Sequence, residues 1–402
     1  MRTTLSDTRS LGRAETRPGI VHFALAVGGF AIGTSEFAAM ALIPYFSPAL
    51  GIAETTASHV ISAYALGVVI GAPVLAVLGA RWPRRTLLIA LMIVYALAHL
   101  ASAFAQTYHG MLAYRFISGL PHGAYFGVAA LMAASVVPRE DRSKAVARVM
   151  TGLTVATVLG VPFANVLGQT VGWRWGFGIV AVLALLCVAL IWIYAPKDEA
   201  PRSGSPLSEL SALGNRQVLL TLLTGAVGFG GFFAVYSYVA STVINVTQAG
   251  EAAVPFVLAA MGGGMVVGTL VVGWVADRRP TLAPFAIMAI AGLLMLCYGP
   301  ATASLVTLIP LVFLIGMSGA LSIPLQSRLM DVAGEAQTLA AALNHSAFNI
   351  ANAIGPAVAA AAISAGYGFQ ASGYVGALLS VAGIVCFAVT VADARRSARP
   401  AR

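Results

Sequence analysis

The chain has 402 residues, of which 59% are hydrophobic and only 9% charged, with a formal net charge of +9. A soluble domain carries about 25% charged residues, so the composition excludes a water-soluble globular protein and, with it, a nucleic-acid reading of the positive charge. What remains is an all-α membrane protein in which Lys and Arg report topology first.

Residues 1–19 are polar and basic, without an apolar core or cleavage pattern, and are expected to form a cytoplasmic tail and no removable signal peptide. The first span then serves as the insertion signal. From Ile20 onward, apolar stretches follow at short intervals: 20–46, 58–79, 86–105, 110–136, 146–167, 173–195, 217–243, 254–275, 281–300, 303–327, 338–364 and 370–391. About 20 apolar residues at ~1.5 Å each cross a ~30 Å hydrocarbon core, which predicts about twelve spanning helices. The breaks are short and carry turn residues, such as Pro44, Pro48 and Trp82-Pro83. One break is longer. Residues 196–216 are polar and rich in Pro and Ser, and they divide the chain into six-helix bundles at 20–195 and 217–392, followed by a tail at 393–402. With an even number of spans, every Lys and Arg except Arg115 and Arg174 falls on the side of the termini. Both termini and the linker are therefore expected to be cytoplasmic, in a bacterial inner membrane. The cysteines, Cys187, Cys297 and Cys386, are odd in number and each lies in an apolar run. They read as packing residues, with neither a disulfide framework nor a metal site expected.

Within the first span, Gly33-Thr34-Ser35-Glu36-Phe37 breaks the apolar run with a carboxylate. Insertion scales put an acid at a helix centre at roughly +2.5 to +3.5 kcal/mol. Two readings stand for Glu36: a group that takes up and gives up a proton, or a silent, hydrogen-bonded structural acid. Arg115 is the basic residue inside a span, and its guanidinium stays charged. Glu36 is the carboxylate at comparable depth, so one reading is a couple between spans one and four that changes partner as protons arrive. The other is an arginine bonded to carbonyls near a helix end.

In span five, Gly152, Ala156, Gly160, Ala164 and Gly168 repeat every four residues, with Pro162 beside them. Such a small-residue ridge lets a neighbour approach closely, and here it is expected to seal the bundle interface and supply a hinge. His122 in span four, and Asn344, His345, Asn349 and Asn352 in span eleven, place polar groups in apolar helices. His345, Asn349 and Asn352 share one helix face. With Phe37, Phe126, Phe232, Phe233 and Tyr236 as the aromatic complement, they suit a small, weakly polar ligand. Hydrogen bonding between helices is the alternative. Gly262-Gly263-Gly264 lacks the following Lys of a phosphate-binding loop, so ATP is not the expected energy source. No nucleophile-elbow or metalloprotease signature is present.

The halves echo each other. Arg81-Trp82-Pro83-Arg84-Arg85 follows span two, and Gly273-Trp274-Val275-Ala276-Asp277-Arg278-Arg279 follows span eight, half a chain later. Gly160-Val161-Pro162 in span five is matched by Gly355-Pro356 in span eleven. Such a repeat is a transporter pattern, with two bundles rocking about a midplane site. The basic turns, with Asp277, either latch the bundles when an inner gate shuts or only set topology.

These residues resemble the major facilitator superfamily along nearly the whole chain. Gly273, Asp277 and Arg278 are similar to its G-x-x-x-D-R signature. The first copy keeps Arg81, Arg84 and Arg85 but has Ala80 and Pro83 where the family usually has Asp and Gly. Arg115 with Gly119 resembles the basic motif of span four, and Gly152, Gly160, Pro162 and Gly168 the glycine-proline motif associated with antiporters. The GTSEF run, Pro121-His122-Gly123 and Gly172-Trp173-Arg174-Trp175 look like the drug:proton antiporter branch that includes arabinose-efflux-like and chloramphenicol-exporter proteins. The resemblance implies proton-coupled efflux of small hydrophobic or amphipathic compounds such as antibiotics, by alternating access. The proton gradient would be the energy source, with no cofactor, no metal and a functional monomer. Sugar or nucleoside efflux by the same fold remains open, as does a membrane sensor without flux. An enzyme is the weakest alternative, since no catalytic set is recognisable.

Overall fold

The computed structural model describes residues 17–79, 81–138, 141–197, 214–333 and 337–397, and among them the regular structure is helical, with no strand. The first half carries α1 (Pro18–Ala41), α2 (His59–Gly79), α3 (Arg84–Ala103), α4 (Tyr108–Ser135), α5 (Lys144–Thr170) and α6 (Trp173–Tyr194). The second carries α7 (Arg216–Asn245), α8 (Glu251–Arg278), α9 (Leu282–Leu296), α10 (Leu305–Val332), α11 (Gln337–Ala362) and α12 (Ala371–Arg396). All but α9 contain a stretch long and apolar enough to cross a bilayer. The shorter α9 is broken at Cys297 and resumes at Tyr298–Ala301. The expected twelve helices are thus present, and most of the linker and tails lies outside the described residues.

Local chemistry sets the helix ends. Pro18 opens α1, where a missing N–H does no harm. The side chains of Thr107, Asn215 and Ser304 accept from the first-turn N–H groups of α4, α7 and α10. Large apolar side chains, among them Phe163, Trp192, Leu270 and Leu293, point outward as lipid-facing groups do.

Packing repeats with a shift of six helices. In the first half α2 packs on α4, α3 on α6, and α1 on α5 and α6. In the second, α8 packs on α10, α9 on α12, and α7 on α11 and α12. Glycines permit the tightest crossings at equivalent places. A Cβ on Gly119 would lie 2.1 Å from the Tyr64 carbonyl oxygen, and one on Gly316 would lie 2.2 Å from that of Met261. The halves meet along α2–α11 and α5–α8, with α1 facing α7 between them. This crossed pairing leaves one central seam. The ends of the helices that bear Arg17, Arg81, Arg148, Arg216, Arg278 and Arg395 form one arginine-rich end; the opposite end is called the far end.

Candidate functional site

Glu36 and Asn352 meet at the seam. Nδ2 of Asn352 on α11 donates to Oε1 of Glu36 on α1 at 3.2 Å, so the carboxyl group is bonded to the other half of the molecule. Both side chains are buried. One residue further along α11, the Ala353 carbonyl accepts from Ser62 of α2 at 3.2 Å.

Arg115, fully buried, faces elsewhere. Among the described residues no ion pair joins it to Glu36. Its Nη1 donates to Ser35 Oγ at 2.8 Å and lies 3.2 Å from Nε2 of His99, while the guanidinium stacks over Tyr64, 4.3 Å from the ring centroid. Nδ1 of His99 is 2.9 Å from the Tyr95 carbonyl oxygen. That oxygen can only accept, so Nδ1 carries the proton and the neutral ring leaves Nε2 as an acceptor beside the cation. Ser35, hydrogen-bonded to the same nitrogen, completes the set. Spans one and four are therefore coupled through Ser35 and Arg115, and Glu36 is turned toward α11.

The aromatic residues singled out in the sequence fall on this seam. Phe37 packs against Phe232, Phe233 and Tyr236 of α7, with ring centroids 6.5, 6.2 and 5.0 Å away. Toward the arginine-rich end, Phe126 of α4 and His345 of α11 stack across the seam, 6.0 Å apart with planes 5° from parallel. His122 packs on Phe126 and is bonded through Nδ1 to the Tyr64 hydroxyl at 2.8 Å. Asn349 donates to the carbonyl of His345 at 3.0 Å within α11, and Asn344 turns away to Gln326 of α10. Among the buried polar atoms without a partner are Arg115 Nε, Tyr236 Oη and the Oδ1 atoms of Asn349 and Asn352.

His99, Tyr64 and Tyr95 are members of this network that sequence reasoning did not single out. The signal for His99 was available, since it interrupts an apolar helix as His122 and His345 do. Glu54, outside this network, was not singled out either. It lies just before α2 and accepts from Ser241 near the far end of α7, and at the same end Gln169 Nε2 of α5 donates to the Glu251 carbonyl at 2.8 Å.

The gating candidates divide by location. The glycine ridge of α5 faces α1 in its own half, and not the seam where it was expected. A Cβ on Gly152 would lie 2.0 Å from the Ala26 carbonyl oxygen, one on Gly160 2.1 Å from Thr34 Oγ1, and one on Gly168 2.3 Å from Leu42 Cδ2. At the seam, α5 instead presents Thr157, whose carbonyl oxygen would be 2.3 Å from a Cβ on Gly262 of α8. Thr157 sits in a π-type turn, Ala156–Gly160, immediately before Pro162. A proline ring clashes with the carbonyl four residues back, here Val158, and widening that turn relieves the clash. At the arginine-rich end, Arg85 donates to the Trp192 carbonyl and lies over its indole, and Arg278 does the same to Trp274. Arg81 and Asp277 are exposed, Arg84 is half-buried, and Gly273 has nothing within 4 Å of a built Cβ.

The family model for the Major Facilitator Superfamily matches residues 25–344. The inner membrane transport protein YdhP of Escherichia coli (strain K12) is 37% identical over 374 residues, covering 89% of this chain and 92% of its own. The chloramphenicol resistance protein of Streptomyces lividans is 35% identical over 379 residues, covering 92% and 94%. A crystal structure of a mutant of the nucleoside transporter NupG superposes with a TM-score of 0.73 at 13% identity, covering 92% of this chain and 99% of that one. That last likeness concerns the fold alone.

Proposed function

The chain belongs to the Major Facilitator Superfamily, a family of membrane transporters, and we propose that within it this protein is a proton-coupled exporter of small hydrophobic or amphipathic compounds. The observation that carries the reading is Glu36, a buried carboxyl group at the seam, bonded to one half and carried by the other. An intramembrane ionisable group in such a place is functional by default. Around it, Phe37, Phe232, Phe233 and Tyr236 supply apolar area, while Tyr236 Oη and Asn349 Oδ1 are unpartnered groups that a ligand's polar atoms can satisfy. In this reading Glu36 takes the proton, Arg115 tunes it from its place on Ser35 and His99, and substrate and proton displace each other. The distribution of Lys and Arg favours cytoplasmic termini in a bacterial inner membrane. A relative named for chloramphenicol resistance supports an antibiotic-like substrate.

The test is transport by proteoliposomes under an imposed pH gradient across a panel of toxic compounds, sugars and nucleosides, together with substrate-induced proton release in detergent. Uphill flux of an amphipathic compound with proton release, both lost in Glu36→Gln, is the expected result. Proton release by Glu36→Gln equal to that of the wild type moves the coupling site elsewhere, with His122 or His345 next. Flux confined to sugars or nucleosides overturns the substrate class, and binding without flux makes the protein a sensor.

A further inference from the structure

We propose that Asn352 is the reader of the Glu36 proton, the group through which the second half of the molecule responds to protonation in the first. The proposal rests on the proton-site reading of Glu36 given above and adds a residue to it.

An asparagine amide offers two N–H donors and an acceptor oxygen. A carboxylate uses only the donors. In this structure Asn352 Nδ2 is engaged by Glu36, while Oδ1 of the same amide is buried and unpartnered. Leaving a buried acceptor unmade is unfavourable, the more so in a low-dielectric interior. The partner that fits is the acid proton itself. When a proton from the aqueous side binds the Glu36 carboxylate, the new O–H donates to Oδ1 while Nδ2 continues to donate to Oε1. Both sides of the amide are then satisfied, and no net charge remains at the contact. When the proton leaves, Oδ1 is orphaned again and a desolvated charge faces the other half, so the contact weakens.

Local anchoring turns that contact into a lever. Ala353, the next residue, is bonded to Ser62 of α2, and a Cβ on Gly355 would be 2.2 Å from the Gly230 carbonyl of α7, so this part of α11 is held on two sides. The bonds joining the halves near the far end, Ser241 to Glu54 and Gln169 to Glu251, lie beyond it along the same seam. Protonation therefore favours a shut far end, and proton loss loosens it. The other titratable or charged groups acting on Glu36 are Arg115 of α4, Tyr64 of α2, Tyr95 of α3 and Tyr236 of α7. Of these, Tyr236 belongs to the second half, but its hydroxyl has no hydrogen bond to Glu36.

Spin labels at Thr170→Cys and Ala252→Cys, both exposed at the far end, in a chain lacking Cys187, Cys297 and Cys386, report the opening by pulsed electron resonance in nanodiscs. The expected wild-type result is a short distance in acid and a longer one in alkaline buffer, with Glu36→Gln held short in both. Asn352→Leu and Asn352→Ala should lose the pH response. A response retained in both Asn352 variants but abolished by Glu36→Gln overturns the reader alone. A response that survives Glu36→Gln overturns proton site and reader together. Infrared spectroscopy on the chain with Asn352 intact is independent of any folding defect in its variants. The acid carbonyl band that Glu36→Gln removes should have the frequency of a hydrogen-bonded acid, and a free-acid frequency overturns the proposal.

Discussion

Arg115 shows how a buried cation is held where, among the described residues, no ion pair reaches it. Its N–H donates to Ser35, Ser35 is bonded to Nε2 of His99, and Nδ1 of His99 donates to the Tyr95 carbonyl, so the donors all run one way and polarise one another. The Tyr64 ring adds a cation–π contact at 4.3 Å. His99→Leu removes the acceptor at the end of that chain and leaves donors buried without partners, at about 1–3 kcal/mol. A lower midpoint of thermal unfolding in detergent is expected, and an unchanged midpoint would show that the imidazole is dispensable to the network. Arg115→Lys should lower export by at least about tenfold at normal membrane levels, because a point charge neither stacks on Tyr64 nor reproduces the planar fork. Efflux of a fluorescent substrate, set against the amount of protein inserted, checks this. Glu36, Arg115, His122 and His345 were visible in the sequence because an ionisable group in an apolar run stands out by itself. Asn352 and Phe126 were singled out too, but which group meets which was not visible. Which of Ser35, His99 or Glu36 meets Arg115 depends on how α1, α3 and α4 are rotated, and helices surrounded by lipid and protein carry little apolar asymmetry to fix that rotation.

Small residues decide how closely the helices approach, and their spacing was legible where their direction was not. The four-residue period of Gly152, Gly160 and Gly168 announced a ridge, but an unbroken apolar helix does not say which neighbour the ridge meets. The structure turns it to α1 and gives the seam to Thr157 and Gly262. The contacts themselves grade the outcomes. Gly152→Ala places a methyl against the Ala26 backbone carbonyl, which cannot move aside, and overpacking of this kind costs about 1–3 kcal/mol. Gly160→Ala meets mainly the Thr34 side chain, which has more freedom to adjust, so a smaller loss of stability and transport is expected. Gly273→Ala meets nothing within 4 Å and should leave the folded protein unchanged. Thermal midpoints of the three variants, measured side by side, test the order. A Gly273→Ala protein as damaged as Gly152→Ala would mean that the signature glycine acts through the fold and not through its turn.

The two-half architecture was the most legible feature of all, because twelve apolar stretches, a polar linker and a repeated basic turn are counted and not folded. What the sequence withheld is which end of the seam is fastened, since a carrier that alternates uses one set of residues in both states. The far-end fastening is made by Glu54, Ser241, Gln169 and Glu251, ordinary polar residues near helix ends that carry no periodic or motif signal. At the arginine-rich end, Arg85 lies over Trp192 and Arg278 over Trp274. Among the described residues the far end carries the two hydrogen bonds between the halves just named, and they locate the next perturbation. In Ser241→Ala, Glu54 loses a hydrogen bond that crosses the seam, while α7 keeps its packing and no charge is added. A hydrogen bond to a charged group contributes about 1.5–3 kcal/mol, and removing it from one state only shifts a two-state equilibrium by roughly ten- to a hundredfold. The far end should therefore open more often, and a cysteine at Asn349, beneath the fastening, should react faster with a membrane-impermeant maleimide added from the far side. Glu54→Gln should act in the same direction but less strongly, since the amide retains an acceptor for the serine hydroxyl. Equal labelling rates in Ser241→Ala and in the parent cysteine variant would mean that the bond is incidental and that the far end is held by the packing of α2 on α11 and of α5 on α8.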